Sequence, residues 1–158
     1  MPISHLGICV PAARFDEVVA FYKATLAPLG YIEHMRPVEN VVGLGARYPD
    51  FWITGVKEEE GDNAGGDVQR KPIHFAFDVS NRTLVHDFHA AALGAGGKCN
   101  GPPGPRPQYN RFYYASFVLD PVGNNIEAIC MWPAWTHWQY WAGSGVFRSS
   151  EKTGSGSE

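Results

Sequence analysis

The sequence predicts an α+β fold made of two tandem βαβββ modules. Three observations carry this prediction. The order strand, helix, short strands occurs twice along the chain, each half opens on an apolar strand bearing a histidine (His5 and His74), and each helix runs into a glycine, Gly30 or Gly96. Self-similarity over about 55–60 residues is the mark of a duplicated unit.

The elements follow in order. Ile3 to Val10 is a short apolar run closed by Pro11, which reads as a strand with His5 as its odd member. Phe15, Val18, Val19, Phe21, Tyr22, Leu26 and Leu29 recur at helical spacing behind Asp16 and Glu17, so an amphipathic helix ends at Gly30. Glycines and prolines then divide 31–56 into three brief antiparallel strands, the last containing Phe51 to Thr54. Residues 58–70 are charged and glycine-rich, which predicts a linker.

The second half repeats this order. Lys71 to Val79 is a strand, and Leu84, Val85, Phe88, Ala91, Ala92 and Leu93 form one face of a helix. Tyr113 to Leu119 alternates as a strand, Asp120 to Asn125 is a turn, and Ile126 to Met131 is the final strand. The segment from Gly101 to Tyr114 reads as a proline-stiffened loop. One domain is therefore expected over 1–132, with module one at 1–57, the linker at 58–70 and module two at 71–132. An aromatic extension and tail occupy 133–158.

Bulk properties narrow the function classes. A net charge of −3 with no basic cluster disfavours nucleic acid as a partner. The absence of a long apolar run and of a signal-peptide pattern predicts a cytoplasmic protein without a membrane partner. Cys9, Cys99 and Cys130 form no CxxC pattern, and Cys9 and Cys130 are expected to be buried strand residues.

The candidate chemistry lies in the strands. An imidazole or carboxylate within a half-buried strand needs a partner to offset desolvation. His5, His74 and Glu127 together offer two nitrogens and one carboxylate, a donor set for a divalent transition ion with open coordination positions. The structural alternative is that His5 and His74 only make hydrogen bonds. His34, His86, His89 and His137 are expected to be packing or surface residues.

The motifs HLGICV (His5–Val10), HFAFDV (His74–Val79) and DPVGNNIE (Asp120–Glu127) resemble the strand motifs of the vicinal-oxygen-chelate superfamily, which includes glyoxalases, bleomycin-resistance proteins and extradiol dioxygenases. The resemblance spans Pro2 to Met131, and DPxGxxIE is its most specific part. It implies a curved mixed sheet forming a cup, with His5, His74 and Glu127 as ligands of a divalent metal (Zn, Ni, Mn or Fe). The remaining ligand strand contains Phe51 to Thr54, with Ile53 set against Glu127, and holds no Glu, Gln or His. The four-ligand set of glyoxalase I and methylmalonyl-CoA epimerase is thus incomplete. The three-ligand set is similar to that of extradiol dioxygenases and fosfomycin-modifying members, although the acid/base histidine of the dioxygenases has no counterpart that can be placed here.

The resemblance implies a metal-dependent lyase, isomerase or dioxygenase acting on a small substrate with vicinal oxygens. Glu127 and Tyr109 are the catalytic candidates. Arg106, Tyr109, Asn110, Tyr113 and Trp52 are the substrate-binding candidates, with Asn110 standing where related sequences carry histidine. The alternative is a metal-free binding protein of the bleomycin-resistance kind. Pairing of modules within one chain or between two is left open, with the aromatic stretch around Trp135 to Trp141 as the candidate homodimer surface.

Overall fold

The computed structural model describes residues 3–57 and 71–131. The linker at 58–70, the aromatic extension and His137 lie outside these residues. Module one consists of β1 (Leu6–Pro11), α1 (Phe15–Leu26), β2 (Ile32–Val38), β3 (Val41–Gly45) and β4 (Phe51–Val56). Module two consists of β5 (His74–Asp78), α2 (Arg82–Gly94), β6 (Lys98–Pro105), β7 (Tyr114–Leu119) and β8 (Asn125–Cys130). Each module forms a four-stranded mixed sheet, in the orders β1-β4-β3-β2 and β5-β8-β7-β6. In each sheet the first and last strands run parallel, and the other neighbours are antiparallel. The α+β class and the duplication are as the sequence predicts.

Local chemistry accounts for the boundaries. The Asn81 side chain accepts from Leu84 N at 3.0 Å and caps α2, while Asp16 and Glu17 favour the first turn of α1. A short 3-10 turn (Ala27–Leu29) extends α1 to Gly30. Gly30 and Gly96 both adopt positive φ, 82° and 96°, so the two helix ends share a left-handed exit that a side chain would strain.

β6 is the one strand that the sequence reading treated as loop. Its three prolines argue against a central strand, but β6 is an edge, bonded to β7 alone and broken by register shifts. Such a position tolerates missing amide hydrogens. The proline-rich loop shortens accordingly to the connection between β6 and β7.

Alternation along the strands sorts the side chains. Ile8, Val10, Phe51 and Ile53 of module one, and Phe77, Ile126, Ala128 and Cys130 of module two, enter a single core with Val18, Tyr22, Val85 and Phe88 from the helices. Phe51 lies 5.5 Å from Phe75 and 5.7 Å from Phe77, ring centre to ring centre, so aromatic contacts join the modules. Cys9 is exposed, contrary to expectation. It follows Ile8 and precedes Val10, both buried, and the period of two turns it to the opposite face.

The Asp120-Pro-Val-Gly turn is a structural knot. Asp120 is buried, and its Oδ1 accepts from the backbone amides of Val122 and Asn124 at 2.9 and 2.8 Å. Its Oδ2 accepts from the Asn124 amide at 2.8 Å and from the Tyr22 hydroxyl of α1 at 2.6 Å. Arg14 adds a hydrogen bond to the Pro121 carbonyl at 2.7 Å. Module one is thereby tied to the turn that leads into β8.

Burial first, then the charge and hydrogen bond of Asp120, push the Tyr22 hydroxyl well above its ordinary value. Below about pH 10 both the folded and unfolded chains keep this proton. Above that, the unfolded chain releases it first and binds fewer protons, so stability falls as pH rises. Denaturation between pH 8 and 11 should show this alkaline decline, with a shallower slope in Tyr22→Phe. Parallel curves for the two proteins would contradict the assignment.

Candidate metal and substrate site

The face of the second sheet turned away from the shared core assembles most of the predicted residues. His74 lies opposite Asn125, Ala76 opposite Glu127, and Phe117 opposite Glu127, so strand alternation places His74, Glu127 and Phe117 on one side. Glu127 is only 1% exposed although its neighbours Ile126 and Ala128 face the core. A carboxylate so placed needs partners, and it has two. Tyr113 donates its hydroxyl to Oε1 at 2.6 Å, and His74 Nε2 lies 3.2 Å from Oε2. The His74 side chain is 51% exposed, which leaves the pair open to an incoming group.

The ring of His74 is held from behind. Nδ1 lies 2.9 Å from the Asn125 carbonyl and 3.0 Å from the Asn125 side-chain amide, while Asn100 donates to Asn125 Oδ1 at 3.0 Å. The carbonyl accepts from Nδ1 when that nitrogen carries the hydrogen and the amide donates to it when it does not, so the ring is held at this nitrogen in either tautomer. Burial first, and then the hydrogen bond and charge of Glu127, push the Tyr113 hydroxyl above its ordinary range. Tyr113 therefore stays a hydrogen-bond donor to Oε1 across the neutral range.

The other residues divide by role. Tyr109 is exposed, with its ring 5.1 Å from that of Tyr113, at the rim of the same face. Arg106 lies 5.4 Å over the Phe117 ring, and its guanidinium donates to the carbonyls of Pro102 and Pro105 at 2.7 and 3.1 Å. Its backbone amide donates to the Tyr113 carbonyl, closing the connection between β6 and β7. Asn110 Oδ1 accepts from Phe112 N at 2.9 Å, which folds the tip of that connection. Arg106 and Asn110 thus hold the loop that positions Tyr113.

His5 stands apart from this group. It is exposed immediately before β1, with Nδ1 3.0 Å from Ser4 Oγ. Among the described residues, no three His, Cys, Asp or Glu side chains converge as a metal-binding group. The structure brings together His74, Glu127 and Tyr113, with Tyr109 and Arg106 beside them, and leaves His5 outside.

The fourth ligand slot needs correction. Gly7, two residues after His5, pairs with Trp52, whereas Ala76, two residues after His74, pairs with Glu127. The counterpart of Glu127 in module one is Trp52, not Ile53. Ile53 is fully buried on the core side. Setting Ile53 against Glu127 by distance along the chain misses this because the connecting segments differ in length, whereas hydrogen-bond register compares the strands directly. Trp52 also lies against Gly43, where an added Cβ would come within 3.0 Å of the indole ring. Glycine at that position lets the indole lie across β3.

Sequence reasoning missed Asn100 and Asn125, which act through an amide and a backbone carbonyl. Consecutive asparagines at 124 and 125 suggest only a turn. A cavity of about 510 Å³ is lined by Gly7, Cys9, Arg14, Lys71, Ile73 and Asn124 among others. None of the predicted site residues lines it.

Among the described residues, no helix is long and apolar enough to cross a membrane. No protein-family model and no curated protein matches the sequence. Solved structures do match. A glyoxalase/bleomycin resistance protein from Albidiferax ferrireducens is 24% identical with a TM-score of 0.61, over 82% of this chain and 98% of that one. A glyoxalase/bleomycin resistance protein/dioxygenase family enzyme from Burkholderia phytofirmans gives 18% and 0.57, over 82% and 98%. Lactoylglutathione lyase from Agrobacterium tumefaciens gives 18% and 0.53, over 82% and 96%. The paired βαβββ modules, the register of their first and last strands, and these likenesses together show that the chain has the vicinal-oxygen-chelate fold of glyoxalases, bleomycin-resistance proteins and dioxygenases.

Proposed function

We propose that the chain is a metal-dependent enzyme of the vicinal-oxygen-chelate superfamily, a lyase, isomerase or dioxygenase for a small substrate with adjacent oxygens. The supporting observation is the convergence of His74 Nε2 and Glu127 Oε2 at 3.2 Å, with both side chains fixed by outer partners. Imidazole nitrogen and carboxylate oxygen suit Zn, Ni, Mn or Fe, and a ring anchored through its other nitrogen is the usual support of a liganding histidine. The two donors therefore fit a divalent ion. Bound there, such an ion supplies Lewis acidity that stabilises an oxyanion or enolate.

The protein's own groups do the rest. Tyr113 holds Oε1 and thereby aims Oε2 at the open side of the pair. Tyr109, exposed at the rim, is the candidate proton donor to a bound substrate, and Trp52 supplies a planar wall on the first module. His5 is the third ligand in this reading and comes from a second copy of the chain, because it does not join the pair within one chain. The expected assembly is a homodimer in the cytoplasm, with no nucleic-acid partner.

Metal analysis of the purified protein tests this directly. Bound ion should be lost in His74→Ala and in Glu127→Ala, and full retention in both would refute the site. Mixing His5→Ala with His74→Ala protein should restore one intact site per heterodimer if ligands come from two copies. A second reading, a metal-free binding protein for planar compounds, draws on Trp52 standing where a fourth ligand would be. Ligand-induced tryptophan quenching in metal-stripped protein, without turnover, would favour it.

A further inference from the structure

On the helix side of the second sheet, a histidine and a cysteine meet outside the candidate metal site. His89 Nε2 on α2 lies 3.3 Å from Cys99 Sγ on β6, with the cysteine exposed and the histidine half-buried. Cys99 pairs with Val118, a core residue, whereas the next residue, Asn100, reaches Asn125 beside His74. The period of two therefore puts the thiol and the His74–Glu127 pair on opposite faces of one sheet. The helix repeat explains the meeting. His86 and His89 lie three apart on α2, and His86 takes a separate partner, the Tyr114 hydroxyl, at 2.7 Å. Helix spacing alone suggests a His86–His89 ligand pair, but the structure gives each ring a different neighbour.

We propose that Cys99 is a covalent modification site for α,β-unsaturated carbonyl compounds, with His89 as its base. A thiol becomes a nucleophile when its proton is taken, and an accessible cysteine against an imidazole is the usual arrangement for that. Burial first, then the neighbouring His86, lower the His89 pKa, so the ring is kept in its proton-accepting form near neutrality. Sulfur bonds to the β-carbon of the acceptor as the carbon–carbon π pair shifts toward the carbonyl. His89 Nε2 takes the S–H proton and returns it to the α-carbon. The product is a thioether, and nothing is released.

The other cysteines are internal references. Cys9 is exposed but makes no hydrogen bond to a histidine among the described residues, and Cys130 is buried. Brief treatment of the full chain with substoichiometric N-ethylmaleimide, followed by peptide mass spectrometry, gives a rate for each cysteine. Cys99 should react about tenfold faster than Cys9. His89→Ala should bring Cys99 down to the Cys9 rate, and His89→Gln, which keeps a polar side chain but cannot take the proton, should do the same. The melting temperature of each variant shows whether the fold is kept. Should a variant unfold, the wild-type comparison still decides. A Cys9 rate equal to that of Cys99, or an unchanged Cys99 rate in folded His89→Ala, would overturn the proposal.

Discussion

Asp120→Ala should destabilise the fold by about 4 kcal/mol, a loss visible as a lower denaturant midpoint with an unchanged slope. The reason is the number of donors left behind. Two backbone amides, the Asn124 side chain and the Tyr22 hydroxyl all converge on this one buried carboxylate. Each buried donor without an acceptor costs about 1–3 kcal/mol, reduced where water enters the space vacated. Asp120→Asn retains one acceptor oxygen and should recover roughly half of the loss. A change under about 1 kcal/mol in Asp120→Ala would mean that the turn is held by its backbone alone.

Glu127→Gln should weaken ion binding by more than roughly 100-fold, and Tyr113→Phe by roughly 10- to 100-fold. Glutamine keeps the shape but removes the charge that attracts a cation. Tyr113→Phe keeps the carboxylate and removes only the hydroxyl that holds Oε1 at 2.6 Å. The order of these losses, measured by competition with a chromophoric chelator, tests whether Tyr113 works through Glu127. Equal affinity in Tyr113→Phe and the parent would restrict Tyr113 to packing. A Tyr113→Phe loss exceeding that of Glu127→Gln would reverse the assignment of ligand and support.

Much of this arrangement was legible before the structure. The matching of His5 with His74, and of Gly30 with Gly96, depends on local patterns that duplication preserves. The turn containing Asp120 and Glu127 is likewise a short-range signal. Long-range relationships were harder to read. β6 was obscured by Pro102, Pro103 and Pro105 because a one-dimensional pattern does not distinguish an edge strand from a loop. Trp52, rather than Ile53, corresponds to Glu127 because pairing with Gly7 sets the register, and sequence distance from His5 does not measure it. The link from Tyr113 to Glu127 and the contact of His89 with Cys99 are products of packing between elements. Neither residue pair carries a motif of its own.

The aromatic seam of Phe51, Phe75 and Phe77 has a consequence for how the chain folds. Each module repeats the other in sequence order, yet neither owns a complete interior. Expressed alone, either half would present these rings to water, along with Tyr22 or Asp120 deprived of its partner. Duplication has therefore produced two copies of a pattern around one core, so the halves should melt in a single transition and the smallest foldable piece should be the pair.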